Sequence, residues 1–170
     1  ALIIGVADYE RTPAKAAYAD KDAKTFYDYA MLKLGIPAGN IKELVNVDAN
    51  RIDVSLAIKD WIARTTKQGS SDIYVFFAGH GLASQSGEQM YLLPYDGSPR
   101  LLEDPAISRE RLFSDIASAN PRSATPMGVV RSCGSTTRLP VTRKNVGLMS
   151  RKNWFIGVEA GNETSSSAGT

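Results

Sequence analysis

The chain has 170 residues, of which 43% are apolar and 22% charged, and its formal net charge is +2. This is enough for one globular domain with its own core, and it excludes a global electrostatic argument for nucleic acid or anionic membrane as a partner. No apolar run approaches the roughly 20 residues of a membrane span. The single cysteine excludes an internal disulfide and makes a reducing, cytoplasmic setting the simpler expectation.

The first two-thirds alternates strand and helix patterns, which predicts an α/β fold with a mostly parallel central sheet covered on both faces. Leu2 to Val6 is a continuous apolar run, as a buried strand should be. A helix is predicted from about Asp22 to Leu34, with Ala23, Phe26, Tyr27, Ala30 and Leu34 on one face and Gly35 placed to end it. Ile41 to Val45 reads as a short strand. A helix from about Ile52 to Thr65 turns Val54, Ile58, Trp61 and Ile62 inward. Asp72 to Phe77 is the next strand and leads into Gly79-His80-Gly81, which reads as a bare loop at the carboxyl edge of the sheet. Met90 to Leu93 is a strand stopped by Pro94. Ser108 is placed to cap a helix that runs to about Ala119. A strand at about Thr125 to Val130 then delivers Cys133, although Pro126 and Gly128 are unusual inside a buried strand. Trp154 to Val158 is a last strand candidate. One domain over residues 1–162 is expected, followed by a flexible serine-rich tail, 163–170. Both ends look cut from a longer chain.

Charge is uneven. Arg122, Arg131, Arg138, Arg143, Lys144, Arg151 and Lys152 lie between Asp115 and Glu159 with no acid among them. Such a run is a solvated surface, an exposed protease-sensitive loop or a patch for an acidic partner.

His80 and Cys133 are the only residues of their types, and each follows a predicted buried strand. An imidazole can take the proton of a thiol and later protonate a leaving amine, so a His/Cys pair suffices for acyl transfer. Gly81 leaves a backbone N–H open to a developing oxyanion, and the Cys133 N–H is a second donor; each such donor is worth about 3 kcal/mol. Taken singly, a lone histidine is often a hydrogen-bonded structural residue and a lone cysteine often packs in a core. One His and one distant Cys do not make a zinc site. No Walker A or Gly-x-Gly-x-x-Gly sequence supports a nucleotide site.

In order along the chain, these residues resemble the caspase and metacaspase superfamily of cysteine peptidases, its bacterial caspase-like branch especially. The resemblance rests on Ala1-Leu2-Ile3-Ile4-Gly5-Val6-Ala7-Asp8-Tyr9, Ala19-Asp20-Lys21-Asp22-Ala23 with Phe26, Val75-Phe76-Phe77-Ala78-Gly79-His80-Gly81, and Tyr91-Leu92-Leu93-Pro94-Tyr95-Asp96. It implies a caspase-like three-layer α/β/α sandwich, catalytic His80 and Cys133, Gly81 at the oxyanion hole and a protein or peptide substrate. The family's cysteine segment, Asp-x-Cys-(aromatic)-Ser-Gly, is here Arg131-Ser132-Cys133-Gly134-Ser135-Thr136. In metacaspases that acid helps hold a basic P1 side chain, so Arg131 in its place would repel Arg or Lys. Asp22 corresponds to the other acid of that pocket and is equally placed as a helix cap. The resemblance therefore implies cleavage after a charged residue, with Arg/Lys favoured through Asp22. The alternative is a catalytically impaired caspase-fold interaction module. Trp154 to Asn162 resembles the family's next strand and turn, after which a further helix and strand are expected. No cofactor is needed for the chemistry. Calcium activates several metacaspases, but no EF-hand loop is present, and Asp8, Asp20, Glu88 and Asp96 do not form a coordination pattern.

Overall fold

A computed structural model describes residues 1–84, 89–100, 107–132 and 155–157. Cys133, the basic loop after it and the 163–170 tail therefore lie outside the described residues. Within them the order is β1 (Leu2–Gly5), α1 (Ala19–Leu32), β2 (Lys42–Val45), α2 (Arg51–Leu56), α3 (Ile62–Thr65), β3 (Asp72–Ala83), β4 (Met90–Leu92), β5 (Ile107–Ser108), α4 (Arg109–Ser118), β6 (Ser123–Ser132) and β7 (Phe155–Gly157).

The strands form one mixed sheet in the order β2-β1-β3-β4-β5, with β6 also paired to β3 and β7 to β6. The β1–β2, β1–β3, β3–β6 and β6–β7 ladders are parallel, and the β3–β4 and β4–β5 ladders antiparallel. The α/β class stands, but the expected mostly parallel sheet is a mixed one, with antiparallel ladders at β4 and β5. The reason is local: the segment from Ala83 to Met90 is shorter than the dozen or more residues a parallel crossover needs, so β4 turns back on β3. In β1, Leu2, Ile3 and Ile4 are all buried although successive side chains point to opposite faces, so the sheet is covered on both sides there.

On one face α1 buries Ala19, Ala23, Phe26 and Ala30, one stripe at helical spacing. Phe26 stacks on Phe76 of β3 with ring centroids 4.5 Å apart. The first turns of α1 lie so close to β1 that a Cβ on Gly5 would stand 2.6 Å from the Ala23 Cβ and 2.7 Å from the Ala19 oxygen. The helix starts at Ala19, earlier than the sequence pattern implied, behind Tyr18 in a left-handed conformation (φ 69°) with no side-chain cap. Asp22 is thus not the cap. Its N–H closes the first turn on the Tyr18 oxygen at 2.8 Å, and with Asp20 its carboxylate meets the helix dipole.

The helix over 51–65 is continuous but winds as a π-helix over Ala57–Trp61, between α2 and α3. It buries Val54, Ile58 and Ile62, with Trp61 half-buried. At its start Asn50 Oδ1 accepts from the Asp53 N–H and Asp96 Oδ1 accepts from the Arg51 N–H. In α4 the Ser108 cap is formed as expected, its Oγ accepting from the Arg111 N–H at 3.1 Å.

The largest departure from the sequence pattern is β3. It does not stop at Phe77 but runs on through Gly79, His80 and Gly81 to Ala83. Residues 72–81 pair with β6, 75–78 with β1 and 81–83 with β4. Glycines read as a loop because they weaken strands. Here they are required by packing: a Cβ on Gly81 would collide with the Val130 side chain, and one on Gly128 with the Phe77 backbone. Pro126 is accommodated within β6, where it is the register partner of Val75.

Candidate active site

His80 lies within β3, only 4% exposed, rather than on a bare loop. Its backbone is held on both sides. The His80 N–H donates to the Tyr9 hydroxyl at 2.6 Å, and the His80 oxygen accepts from the Leu93 N–H at 3.0 Å. The Tyr9 ring stacks on the imidazole, centroids 5.0 Å apart and planes 29° from parallel.

Nδ1 faces the backbone oxygen of Arg131 at 3.3 Å. A carbonyl only accepts, so this contact puts the ring proton on Nδ1 and leaves the lone pair on Nε2. Nε2 is buried and has no hydrogen-bond partner among the described residues. Burial is the main cause that holds the His80 pKa below its usual value, and the nearby Arg131 charge lowers it further; backbone contacts with Arg131 and Ala14 act in the opposite direction. The imidazole is therefore neutral near pH 7, the form a general base needs.

Arg131 is the register partner of His80 on β6, and Ser132 that of Gly81. Ser132 is the last described residue of β6, and Cys133 follows it in the sequence. Gly81 has strand neighbours on both edges, Leu92 and Ser132, and its lack of a side chain has a packing reason in Val130. Asp22 is half-buried in the first turn of α1, next to Ala23 on Gly5, while Gly5 pairs with Ala78 two residues before His80. Asp22, Arg131 and His80 are brought to the same end of the sheet.

The sequence reading missed Tyr9 and Asn46. Asn46 takes a left-handed conformation (φ 49°), and its Oδ1 accepts from both the Ala7 and Asp8 N–H groups, at 2.9 and 3.3 Å. It thereby fixes the turn that presents Tyr9. The only signal in the sequence was a tyrosine shortly after an apolar strand.

Residues 1–139 match the family model described as the caspase domain, Peptidase_C14. The chain belongs to the caspase-domain family. No curated protein matches this caspase domain. Among solved structures it is similar to protein GSU0716 from Geobacter sulfurreducens, at 18% identity and a TM-score of 0.51. That likeness covers 80% of this chain and 50% of the other, so the caspase domain spans about half the length of this solved relative.

Among the described residues no cluster of three His, Cys, Asp or Glu side chains is disposed to hold a metal ion. Of the scattered acids, Asp8 pairs with Lys15 at 2.9 Å, Asp20 sits in the first turn of α1 and Asp96 caps α2. Glu88 lies outside the described residues. No helix among the described residues is long and apolar enough to cross a membrane. A groove of about 460 Å³ beside β2 and the 51–65 helix, lined by Leu44, Asp53, Leu56 and Trp61 among others, contains none of the candidate site residues.

Proposed function

We propose that this caspase domain is a cysteine endopeptidase in which His80 is the general base and Cys133 the nucleophile. The observation that carries the reading is the His80 imidazole: stacked, with a buried Nε2 that has no partner among the described residues, and in register with Arg131, two residues before Cys133 in the sequence.

Nε2 accepts the Cys133 thiol proton as the sulfur attacks the carbonyl carbon of the scissile bond. The Gly81 and Cys133 N–H groups donate to the resulting oxyanion. As the C–N bond breaks, the imidazolium returns its proton to the leaving amine, and a thioester remains on Cys133. Nε2 then takes a proton from water, the hydroxide attacks the thioester, and the carboxylic acid product leaves as the thiol is restored. No redox partner or metal enters this balance.

The P1 side chain is proposed to be charged. Asp22 supports Arg or Lys, the preference favoured here, whereas Arg131 would hold Asp or Glu in the same place. Protein or peptide is the substrate class. The rival reading, a caspase-fold interaction module without turnover, draws on Arg131 standing where the family has an acid and on the deep burial of His80.

Alkylation separates the two readings, because Cys133 is the only thiol. Iodoacetamide is expected to modify Cys133 faster at pH 7 than it does a free cysteine peptide, and His80→Ala to remove the excess rate. A rate equal to that of the peptide, unchanged by His80→Ala, would favour the interaction module.

A further inference from the structure

We propose that Tyr9 is a positioning residue for His80, its hydroxyl fixing the strand at the histidine and its ring fixing the plane of the imidazole. What the positioned imidazole accomplishes rests on the peptidase proposal above; the positioning itself does not.

The argument begins at one edge of β3. The Val6 N–H donates to the Ala78 oxygen at 2.9 Å, where β1 gives out, and the Leu93 N–H donates to the His80 oxygen at 3.0 Å, where β4 takes over. Alternate residues of a strand present their N–H and C=O groups to the same edge, so the His80 N–H falls in the gap between these two neighbours. A buried N–H without an acceptor is strongly disfavoured. The Tyr9 hydroxyl fills the gap at 2.6 Å. Both residues are buried, so water does not compete for this bond.

The same side chain then lays its ring against the imidazole. With one face covered by Tyr9 and Nδ1 turned to the Arg131 oxygen, Nε2 is left as the ring nitrogen without a hydrogen-bond partner among the described residues. Room for the arrangement comes from Gly79, where a Cβ would stand 2.9 Å from the Tyr9 oxygen and 3.0 Å from the Phe77 ring. Tyr9 is itself fixed from both sides in the chain. Asn46 holds Ala7 and Asp8, and the Glu10 N–H donates to the Tyr95 oxygen at 3.0 Å.

The test uses two variants and the one histidine signal that proton NMR of this chain can contain. Tyr9→Phe keeps the ring and removes the acceptor; Tyr9→Leu removes both. For Tyr9→Phe the expectation is a kcat lower by about tenfold with KM little changed, and faster solvent exchange of the His80 amide, since small misplacement of a catalytic group is read in kcat. For Tyr9→Leu, kcat falls further, and the His80 titration midpoint, depressed in the parent, moves up toward the unperturbed value of about 6.5 as water reaches the ring. Parent-like kcat, amide exchange and midpoint in both variants would overturn the proposal. If Tyr9→Leu does not fold, as urea unfolding will show, Tyr9→Phe decides alone through amide exchange and kcat. If the parent protein shows no turnover, the peptidase proposal fails, and the amide-exchange and titration results still decide for or against positioning by Tyr9.

Discussion

His80 and Arg131 are register partners on adjacent parallel strands, and the Arg131 oxygen faces His80 Nδ1 at 3.3 Å while the arginine charge works against protonation of the same ring. The backbone of residue 131 thus orients the imidazole, while burial, with a smaller contribution from the arginine charge, disfavours its protonation. A pH dependence follows. Burial lowers the folded-state pKa of His80 below its unfolded value of about 6.5, so between these values the unfolded chain binds a proton that the folded one does not. Stability is therefore complete above pH 6.5 and falls as the pH drops through 6.5 toward the folded pKa. Urea unfolding at pH 7.5 and pH 5 is expected to show this loss in the parent and a smaller one in His80→Gln; equal losses in both would assign it to other groups.

A second prediction concerns the glycines of the site. Gly81→Ala drives a methyl group into the Val130 side chain and is expected to destabilise by about 1–3 kcal/mol. Val130→Ala in the same chain should recover part of that loss, because the two side chains share one space, and a double-mutant cycle in urea measures the coupling. Gly128→Ala meets the Phe77 backbone instead, which cannot swing aside, and is expected to be worse than Gly81→Ala and not rescued by Val130→Ala.

Asn46 offers a third. Its Oδ1 serves two N–H groups of the turn that carries Tyr9. Asn46→Ala should lower stability by about 1–3 kcal/mol, since it leaves the part-buried Ala7 N–H without its acceptor and places alanine at a positive φ. Asn46→Asp, which keeps the acceptor, should recover most of it in the same thermal unfolding assay.

At the other end of the sheet, Arg122 binds both carboxylate oxygens of Asp72, and Ser123 adds a further hydrogen bond, joining the starts of β3 and β6. The Arg122 hydrogen bond is the main cause that lowers the Asp72 pKa from 3.8 to about 2. A carboxylate depressed on folding stabilises above its unfolded pKa and loses that contribution as pH falls through the folded one. The stability difference between the parent and Arg122→Ala should therefore be full at pH 7 and shrink between pH 4 and pH 2. The pair is exposed, so the difference should be small and should also shrink in high salt.

Much of the frame was legible in residues whose signals are local. Leu2 to Gly5 is apolar without a break, and Ser108 caps α4 because a short hydroxyl before a helix has one favourable use, whereas α1 ends at Leu32, ahead of Gly35 with its positive φ. Legibility ended where a residue's reason lies in a distant strand. Gly79 and Gly81 read as a loop, yet each is a glycine because of a partner far away in sequence: Tyr9 for one, Val130 for the other. The start of α1 was missed because Tyr18 caps it through a left-handed backbone and no side-chain acceptor. Of the site, His80 was legible as the only histidine after a buried strand. Its tyrosine support was not, since a hydroxyl that fills a gap between two strands has no periodicity to betray it.

The central claim, that His80 and Cys133 form a peptidase dyad, is tested most directly by turnover. Purified protein is offered fluorogenic peptides ending in Arg, Lys, Asp or a neutral residue, with and without calcium, beside Cys133→Ala and His80→Ala. The predicted result is cleavage after one class of charged residue, Arg or Lys if Asp22 lines the pocket and Asp if Arg131 does, reduced to background in both variants. Cleavage that survives Cys133→Ala, or none with any peptide, would contradict the claim.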